Sequence, residues 1–261
     1  GNRFEFRAVG GSANSATPMA VLNAAVAAQL TEFHTAVEKL IGKGVKKDEA
    51  IFQVLRELII ASKPIRFEGD NYSEKWVKEA KRRGLTNITD IPESISAFLG
   101  DSTKKLFTSM GILSEHELEA RVEVMYENYI MKIQIEARVL GDLAINHIVP
   151  TAVKYQNVLM ENVSLLKDLY GDEYPQLSGN RVELIREISE RVTKIKSLVN
   201  EMVDARKAAN KIESAEKKAK AYSANVFSFL DQIRYHIDKL ELIVDDEMWP
   251  FPKYRELLFS N

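Results

Sequence analysis

Residues 183–202 read ELIREISERVTKIKSLVNEM, and the spacing of the apolar side chains in this stretch decides the fold class. These side chains recur at alternating intervals of three and four residues, the heptad pattern of a helix that packs lengthwise against another helix. The members of this first seam are Ile185, Ile188, Val192, Ile195, Val199 and Met202. The chain is therefore predicted to be mainly α-helical.

A second seam lies nearer the C-terminus and is formed by Tyr222, Val226, Phe229, Ile233, Leu240 and Val244. Between the two seams, residues 207–220 are rich in alanine, lysine and glutamate and carry no apolar stripe. The lysines permit an anion-binding interpretation, but interspersed glutamates favour a solvated tip. Two seams joined by a short polar tip predict an antiparallel helical hairpin.

Apolar periodicity predicts further helices upstream, among them one over residues 18–41 and a second that Asp48 caps. A longer helix is expected after Ser114, which forms a capping box with Glu117. Its apolar stripe consists of Leu118, Val122, Met125, Tyr129, Ile133, Ala137, Leu140 and Ala144. This helix is predicted either to continue past Pro150 with a kink or to stop and restart there. Packing of the hairpin on the helix near residues 140–170 would give a bundle.

The first residues show a different pattern, because residues 4–9 read FEFRAV and alternate as a β-strand does. Phe4, Phe6 and Ala8 share one face, which can pack on a core. Glu5 and Arg7 share the other face, about 7 Å apart along the strand. A carboxylate beside a guanidinium suits a site that handles a cation and an anionic group together, although the spacing alone also fits an ordinary surface ion pair.

A small-residue turn follows this strand, and a helix is expected to begin with Thr17 as its cap and Pro18 in its first turn. The N-terminus of a helix after a glycine-containing turn favours anions. The strand and the helix start together therefore indicate a binding site at the beginning of the chain.

Composition restricts the class of protein. The chain has 261 residues, of which 45% are hydrophobic and 28% charged, and a formal net charge of -2, so one or two globular domains are expected and a nucleic-acid partner is disfavoured. The absence of cysteine excludes disulfides and thiolate metal sites and agrees with a cytoplasmic location. The longest apolar run is shorter than the roughly 20 residues of a membrane span, so no membrane association is expected.

The segment Arg3-Phe4-Glu5-Phe6-Arg7, with the following Ala13-Asn14 turn and proline-started helix, resembles the glutamine synthetase family. The wording is most similar to the long bacterial type III enzymes, and residues 248–259, MWPFPKYRELLF, resemble the type III ending. The resemblance implies that residues 1–145 are the C-terminal part of the catalytic domain. The strand would then be left from a split α+β domain. Residues 146–261 would be a type III-specific helical bundle extension with a C-terminal tail.

By the same resemblance, Glu5 matches a ligand of the family's catalytic metal, Mg²⁺ or Mn²⁺. Arg7 matches the catalytic arginine that binds glutamate and its acyl phosphate, and Arg3 matches a position near the nucleotide. These enzymes join ammonia to glutamate through γ-glutamyl phosphate and consume ATP as a substrate. The other ligands lie upstream in the family, so the chain is expected to be a C-terminal piece that is inactive alone and active as part of the full-length ligase.

The resemblance also implies a homo-oligomer, a double-ringed dodecamer in the full-length enzyme. An alternative of a different class is a non-catalytic helical scaffold or oligomerisation module, which the heptad seams and the aromatic tail motivate. The tail over residues 251–259 is expected either to fold back on the core or to dock on a neighbouring subunit.

Overall fold

The computed structural model describes residues 14–70 and 72–259, apart from the side chains of Tyr254 and Arg255. Across these ranges the chain is mainly helical and contains no strand, which confirms the predicted fold class. The strand predicted over residues 4–9 lies outside the described residues. The helices are α1 (Ala16–Ile41), α2 (Lys47–Ala61), α3 (Glu74–Arg82), α4 (Ile91–Ser96), α5 (Asp101–Ser109), α6 (Glu115–Leu143), α7 (Val149–Tyr170), α8 (Tyr174–Ser178), α9 (Arg181–Asn210), α10 (Ala215–Tyr222), α11 (Ser228–Glu241) and α12 (Tyr254–Leu257).

The chain divides into two compact units. The first unit comprises the chain up to Thr89 together with Ala97–Ala120, and the second comprises Asp90–Ser96 together with the chain from Arg121 onward. None of the helices in the part that the structure describes is both long enough and apolar enough to cross a membrane.

The first unit is built on the pairing of α1 with α2. Val37, Ala50 and Val54 are the buried centre of this pair, and flanking apolar side chains from both helices pack around them. Both helices begin earlier than predicted: α1 begins at Ala16 rather than after a Thr17 cap, and Asp48 lies in the first turn of α2 instead of capping it. A carboxylate in a first turn still stabilises a helix through the helix dipole.

The long helix α6 begins as predicted. The Glu117 carboxylate accepts from the Ser114 backbone N–H at 2.8 Å, and the Ser114 hydroxyl accepts from the Glu117 backbone N–H at 3.3 Å, which confirms the capping box. The buried face of α6 is shifted slightly from the predicted stripe, because Tyr126 and Ile130 are buried whereas Met125 and Tyr129 are half-buried.

The helical path continues across Pro150 into α7 without a break. A π-helical turn over Ala144–Ile148 precedes the proline, and the Val149 N–H donates to the carbonyl of Ala144, five residues earlier. Proline cannot donate to the carbonyl four residues before it, and its ring crowds that carbonyl. The wider turn accommodates both effects, so the first of the two predicted alternatives is the observed one.

The second unit contains the predicted hairpin. α9 carries the first seam and α10 with α11 carries the second, and the four residues 211–214 connect them. The buried seam residues include Ile188, Ile195, Met202, Tyr222, Ile233 and Leu240. α7 packs along α9, where the Gln156 amide donates to the carbonyl of Ile185 at 2.7 Å. Residues 174–178, predicted as a loop, form the short helix α8.

The start of the C-terminal tail folds back on the second unit. Trp249 is buried, and the Lys253 ammonium donates to the carbonyl of Glu241 at 3.0 Å. The ring of Phe251 lies 5.8 Å from the ring of His147, measured between centroids. Beyond this point Leu258 and Phe259 are exposed. The first of the two predicted fates therefore applies to the tail as far as Lys253.

Candidate functional site

The three residues predicted to form the site, Arg3, Glu5 and Arg7, lie outside the described residues, so their roles stay predictions. The structure describes the helix start to which this stretch leads. The side-chain oxygen of Asn14 accepts from the Ala16 backbone N–H at 2.8 Å. The first turn of α1 contains no acidic residue, so no carboxylate offsets the positive end of its helix dipole.

An apolar stripe runs along the whole length of α1 at intervals of three and four residues. It consists of Met19, Leu22, Val26, Leu30, Phe33, Val37 and Leu40. α2 covers the C-terminal part of the stripe, where Val37 is buried and Phe33 and Leu40 pack around it. The N-terminal part, which follows the predicted site most closely in sequence, is exposed.

Within residues 14–70 and 72–259, no three histidine, aspartate or glutamate side chains gather closely enough to hold a metal ion. The histidines lie in separate places. His34 Nε2 is 3.8 Å from Glu38 Oε1 on exposed α1, and His236 Nδ1 is 3.5 Å from Arg191 Nη1 in the hairpin. This part of the chain therefore offers no substitute for Glu5 as a metal ligand.

One charged cluster in the first unit was not anticipated from the sequence beyond its tryptophan. The rings of Phe67 and Trp76 stack with centroids 4.1 Å apart, and the Arg83 guanidinium lies 5.8 Å and 5.6 Å from the two centroids. Arg83 Nη1 also donates to the carbonyls of Pro64 and Arg66, at 3.1 Å and 2.9 Å. Arg83 therefore joins the segment before α3 to the end of that helix.

Glu79 completes this cluster. Its carboxylate accepts two hydrogen bonds from Arg82, at 2.8 Å and 2.7 Å, and one from Arg83 at 2.7 Å. These hydrogen bonds, first from Arg82 and then from Arg83, lower the pKa of Glu79 to about 2. A carboxylate held ionised in this way does not act as a general base near neutral pH, so the cluster is structural. Nothing in the run of basic residues at the end of α3 distinguishes Arg83 by sequence.

A polar network in the second unit joins α6 to the tip of the hairpin. The Tyr222 side chain is fully buried, and its hydroxyl lies 2.7 Å from Asn210 Oδ1 and 3.1 Å from Gln134 Oε1. Burial raises the pKa of Tyr222, so the phenol stays protonated and serves as a hydrogen-bond donor. With two amides as partners, the phenol has a structural role.

A second polar group fixes α4 against the hairpin. The Ser223 hydroxyl donates to the Asp90 carboxylate, and the hydroxyls of Ser96 and Tyr126 are 2.7 Å apart. Ser223 belongs to a second π-helical turn, over Ser223–Phe227. No imidazole accompanies this serine among the described hydrogen bonds, so the pair lacks the base that would activate a nucleophile.

Similarity to known proteins identifies the family. Residues 50–167 match the model of the glutamine synthetase C-terminal domain. The whole chain is 56% identical over 262 aligned residues to a glutamine synthetase from Bacteroides fragilis, of which it spans 36%. A type-3 glutamine synthetase from Dictyostelium discoideum is 31% identical over 99% of the chain, which spans 35% of that protein. A glutamine synthetase from Butyrivibrio fibrisolvens is 29% identical over 83% of the chain.

The chain thus spans about a third of the length of the curated relatives that it matches. The resemblance that the opening strand and the C-terminal tail suggested is confirmed, because the alignment with the Bacteroides protein runs over the entire chain. The matched helices include α6, the helix with the predicted capping box. The chain belongs to the glutamine synthetase family.

Proposed function

We propose that this chain is the C-terminal part of a type III glutamine synthetase. The intact enzyme would join ammonia to glutamate through γ-glutamyl phosphate at the expense of ATP. The observation that carries this proposal is the end-to-end similarity to the Bacteroides protein at 56% identity. The similarity to a protein named as a type-3 enzyme supports the subtype. Because the chain spans only 36% of the Bacteroides protein, the other catalytic residues would lie on the rest of the polypeptide.

Within that enzyme, Glu5 would be a ligand of a catalytic Mg²⁺ or Mn²⁺ ion, since such hard cations prefer carboxylate oxygen. The bound ion would offset negative charge on the phosphoryl group during its transfer. Arg7 would bind the substrate glutamate and its acyl phosphate, and Arg3 would lie near the nucleotide. Alternation along a strand places these three side chains on one face, which supports a shared site.

The second unit has a different role in this proposal. Its hairpin is held by apolar seams and by amide and hydroxyl hydrogen bonds, which favours a structural contribution. We assign residues 146–261 to a type III-specific extension that supports assembly, in an enzyme proposed to be a homododecamer. Residues 1–145 would belong to the catalytic domain. A cytoplasmic location is proposed from the cysteine-free composition.

The second candidate function is a non-catalytic helical scaffold. The self-contained seams of the hairpin favour it for the 261-residue chain when that chain is separated from the rest of the enzyme. A γ-glutamyl hydroxamate assay on the purified chain tests this point. No product is expected, and measurable turnover would overturn the assignment of the missing ligands to another part of the polypeptide.

The proposal is tested by Glu5→Ala in the full-length synthetase, assayed for γ-glutamyl hydroxamate formation. Loss of one metal ligand is expected to lower activity by about 100-fold or more, since even second-shell partners of metal ligands are worth 10- to 100-fold. Glu183→Ala, at an exposed position in the first turn of α9, is the matched control and should retain activity. Wild-type turnover by Glu5→Ala at limiting metal would disprove the site assignment.

A further inference from the structure

The stripe along α1 is one continuous surface of which α2 covers only a part. At 100° per residue, the seven side chains of the stripe fall within an arc of about 80°, so they share one face of the helix. Val37 at the C-terminal end of the stripe is 6% exposed in the interface with α2. Met19, Val26 and Leu30 at the N-terminal end are 57%, 58% and 61% exposed. The uncovered half therefore continues an existing apolar interface.

The length of the uncovered half matches the segment that precedes α1. From Met19 to Leu30 the helix rises about 16 Å. From Phe4 to Ala8 a β-strand extends about 13 Å. Residues 10–15, which are small or polar, provide a connection between the two. A strand that enters this turn and a helix that leaves it can lie side by side over these lengths.

We propose that the apolar face of residues 4–9, formed by Phe4, Phe6 and Ala8, packs on the uncovered half of the α1 stripe. Alternation along the strand would then direct Glu5 and Arg7 away from α1. Phe4 and Phe6 are positioning residues in this arrangement, because they fix the face on which the two functional side chains stand. The roles of Glu5 and Arg7 rest on the proposed function, whereas the packing itself does not.

Charge and polarity favour this occupant over an unrelated one. The uncovered half carries two branched aliphatic side chains, a leucine and a methionine at Met19, Leu22, Val26 and Leu30, and the opposing strand face carries two phenylalanines and an alanine. A one-residue shift of the strand would place Glu5 and Arg7 against this apolar surface, which disfavours the opposite register. The alternation therefore selects one register of packing.

The chain contains no cysteine, so an introduced pair forms the sole disulfide. In the 261-residue chain, Phe6→Cys with Val26→Cys is compared with Glu5→Cys with Val26→Cys under mild oxidation. A disulfide needs Cβ atoms about 3.5–4.5 Å apart, so only side chains on the packed face react well. The Phe6 pair is expected to form an intramolecular disulfide at least about ten times faster than the Glu5 pair.

Equal rates, a faster Glu5 pair or no intramolecular disulfide in either variant would overturn the proposal. Disulfide-linked dimers from both variants would do so as well, and would identify a second copy of the chain as the occupant. Maleimide labelling gives an independent measurement. The thiol introduced by Val26→Cys should react more slowly than the one introduced by Gln29→Cys, and Phe6→Glu should remove the difference. Equal labelling before Phe6→Glu would count against the packing.

The positioning role is tested in the full-length synthetase through the Mn²⁺ concentration that gives half-maximal activity. Phe6→Ala should raise this concentration several-fold, and Phe6→Leu should restore it. Phe33→Ala, at the α1–α2 interface, should lower stability without this change in metal dependence. An unchanged metal dependence in Phe6→Ala would refute the positioning role. If instead Glu5→Ala retains activity while the Phe6 disulfide forms, the packing stands and the proposed function fails.

Discussion

The α1–α2 pair and the α9–α11 hairpin are both built from long helices joined by a short connection, yet they bury their apolar stripes to different extents. In the hairpin, Ile195, Ile233 and Leu240 are fully buried. In the pair, α1 contributes Val37 to the centre of the interface, while the N-terminal half of its stripe is exposed. The hairpin therefore supplies its own packing partner, whereas α1 presents a face that needs further protein to cover it.

The largest expected effect on stability lies in the hairpin. Ile195→Ala removes a side chain that is fully buried in the seam and should lower the free energy of unfolding by about 2–5 kcal/mol. Leu242→Ala, at a position that is 76% exposed, is the matched control and should stay within about 0.5 kcal/mol of wild type. Urea unfolding followed by far-UV circular dichroism measures both. Similar losses in the two variants would show that the seam is not the core of this unit.

A smaller effect is expected at the polar network near the tip of the hairpin. Tyr222→Phe removes the hydroxyl and leaves the buried carbonyl of Asn210 without this donor, at a cost of about 1–3 kcal/mol. Tyr235→Phe, on the same helical path but exposed, should change stability by less than about 0.5 kcal/mol. The same urea titration distinguishes them, and equal stability of Tyr222→Phe and wild type would mean that the network contributes nothing.

How much of this organisation follows from the sequence depends on how local its cause is. The seams of α9 and α11 and the Ser114 capping box are local patterns, and the structure confirms them. Helix starts were less accurate, because the cap of α1 rests on Asn14 rather than Thr17. Arg83 was missed because its partners, two rings and two carbonyls, come together only through folding.

The candidate site shows the opposite limit. Glu5 and Arg7 were assigned from resemblance, since an acidic and a basic residue two positions apart do not by themselves distinguish a metal site from a surface ion pair. The family is confirmed by similarity over the whole chain. The roles of the two residues depend on ligands that the proposed function assigns to another part of the polypeptide, so this chain's sequence alone could not establish them.

The effect of pH should be smallest and confined to the first unit. The pKa of Glu79 is about 2 in the folded chain against an ordinary value of 4.5, so its ionised form is favoured by folding. Its contribution is therefore fully present above pH 4.5 and is lost as the pH falls from 4.5 towards 2. The indole NMR signal of Trp76, which is stacked on Phe67, should report this loss. Glu79→Gln should remove this pH response and Glu74→Gln should keep it; an unchanged response in Glu79→Gln would exclude the carboxylate as its source.

The central claim is that the opening strand of this chain supplies a ligand to the metal of a glutamine synthetase. Titration of Mn²⁺ into the full-length enzyme, followed by electron paramagnetic resonance of the free ion, tests it without relying on turnover. Glu5→Ala is expected to bind fewer tightly held Mn²⁺ ions per subunit than wild type, with Glu183→Ala unchanged. The same stoichiometry and affinity in Glu5→Ala and wild type would contradict the claim.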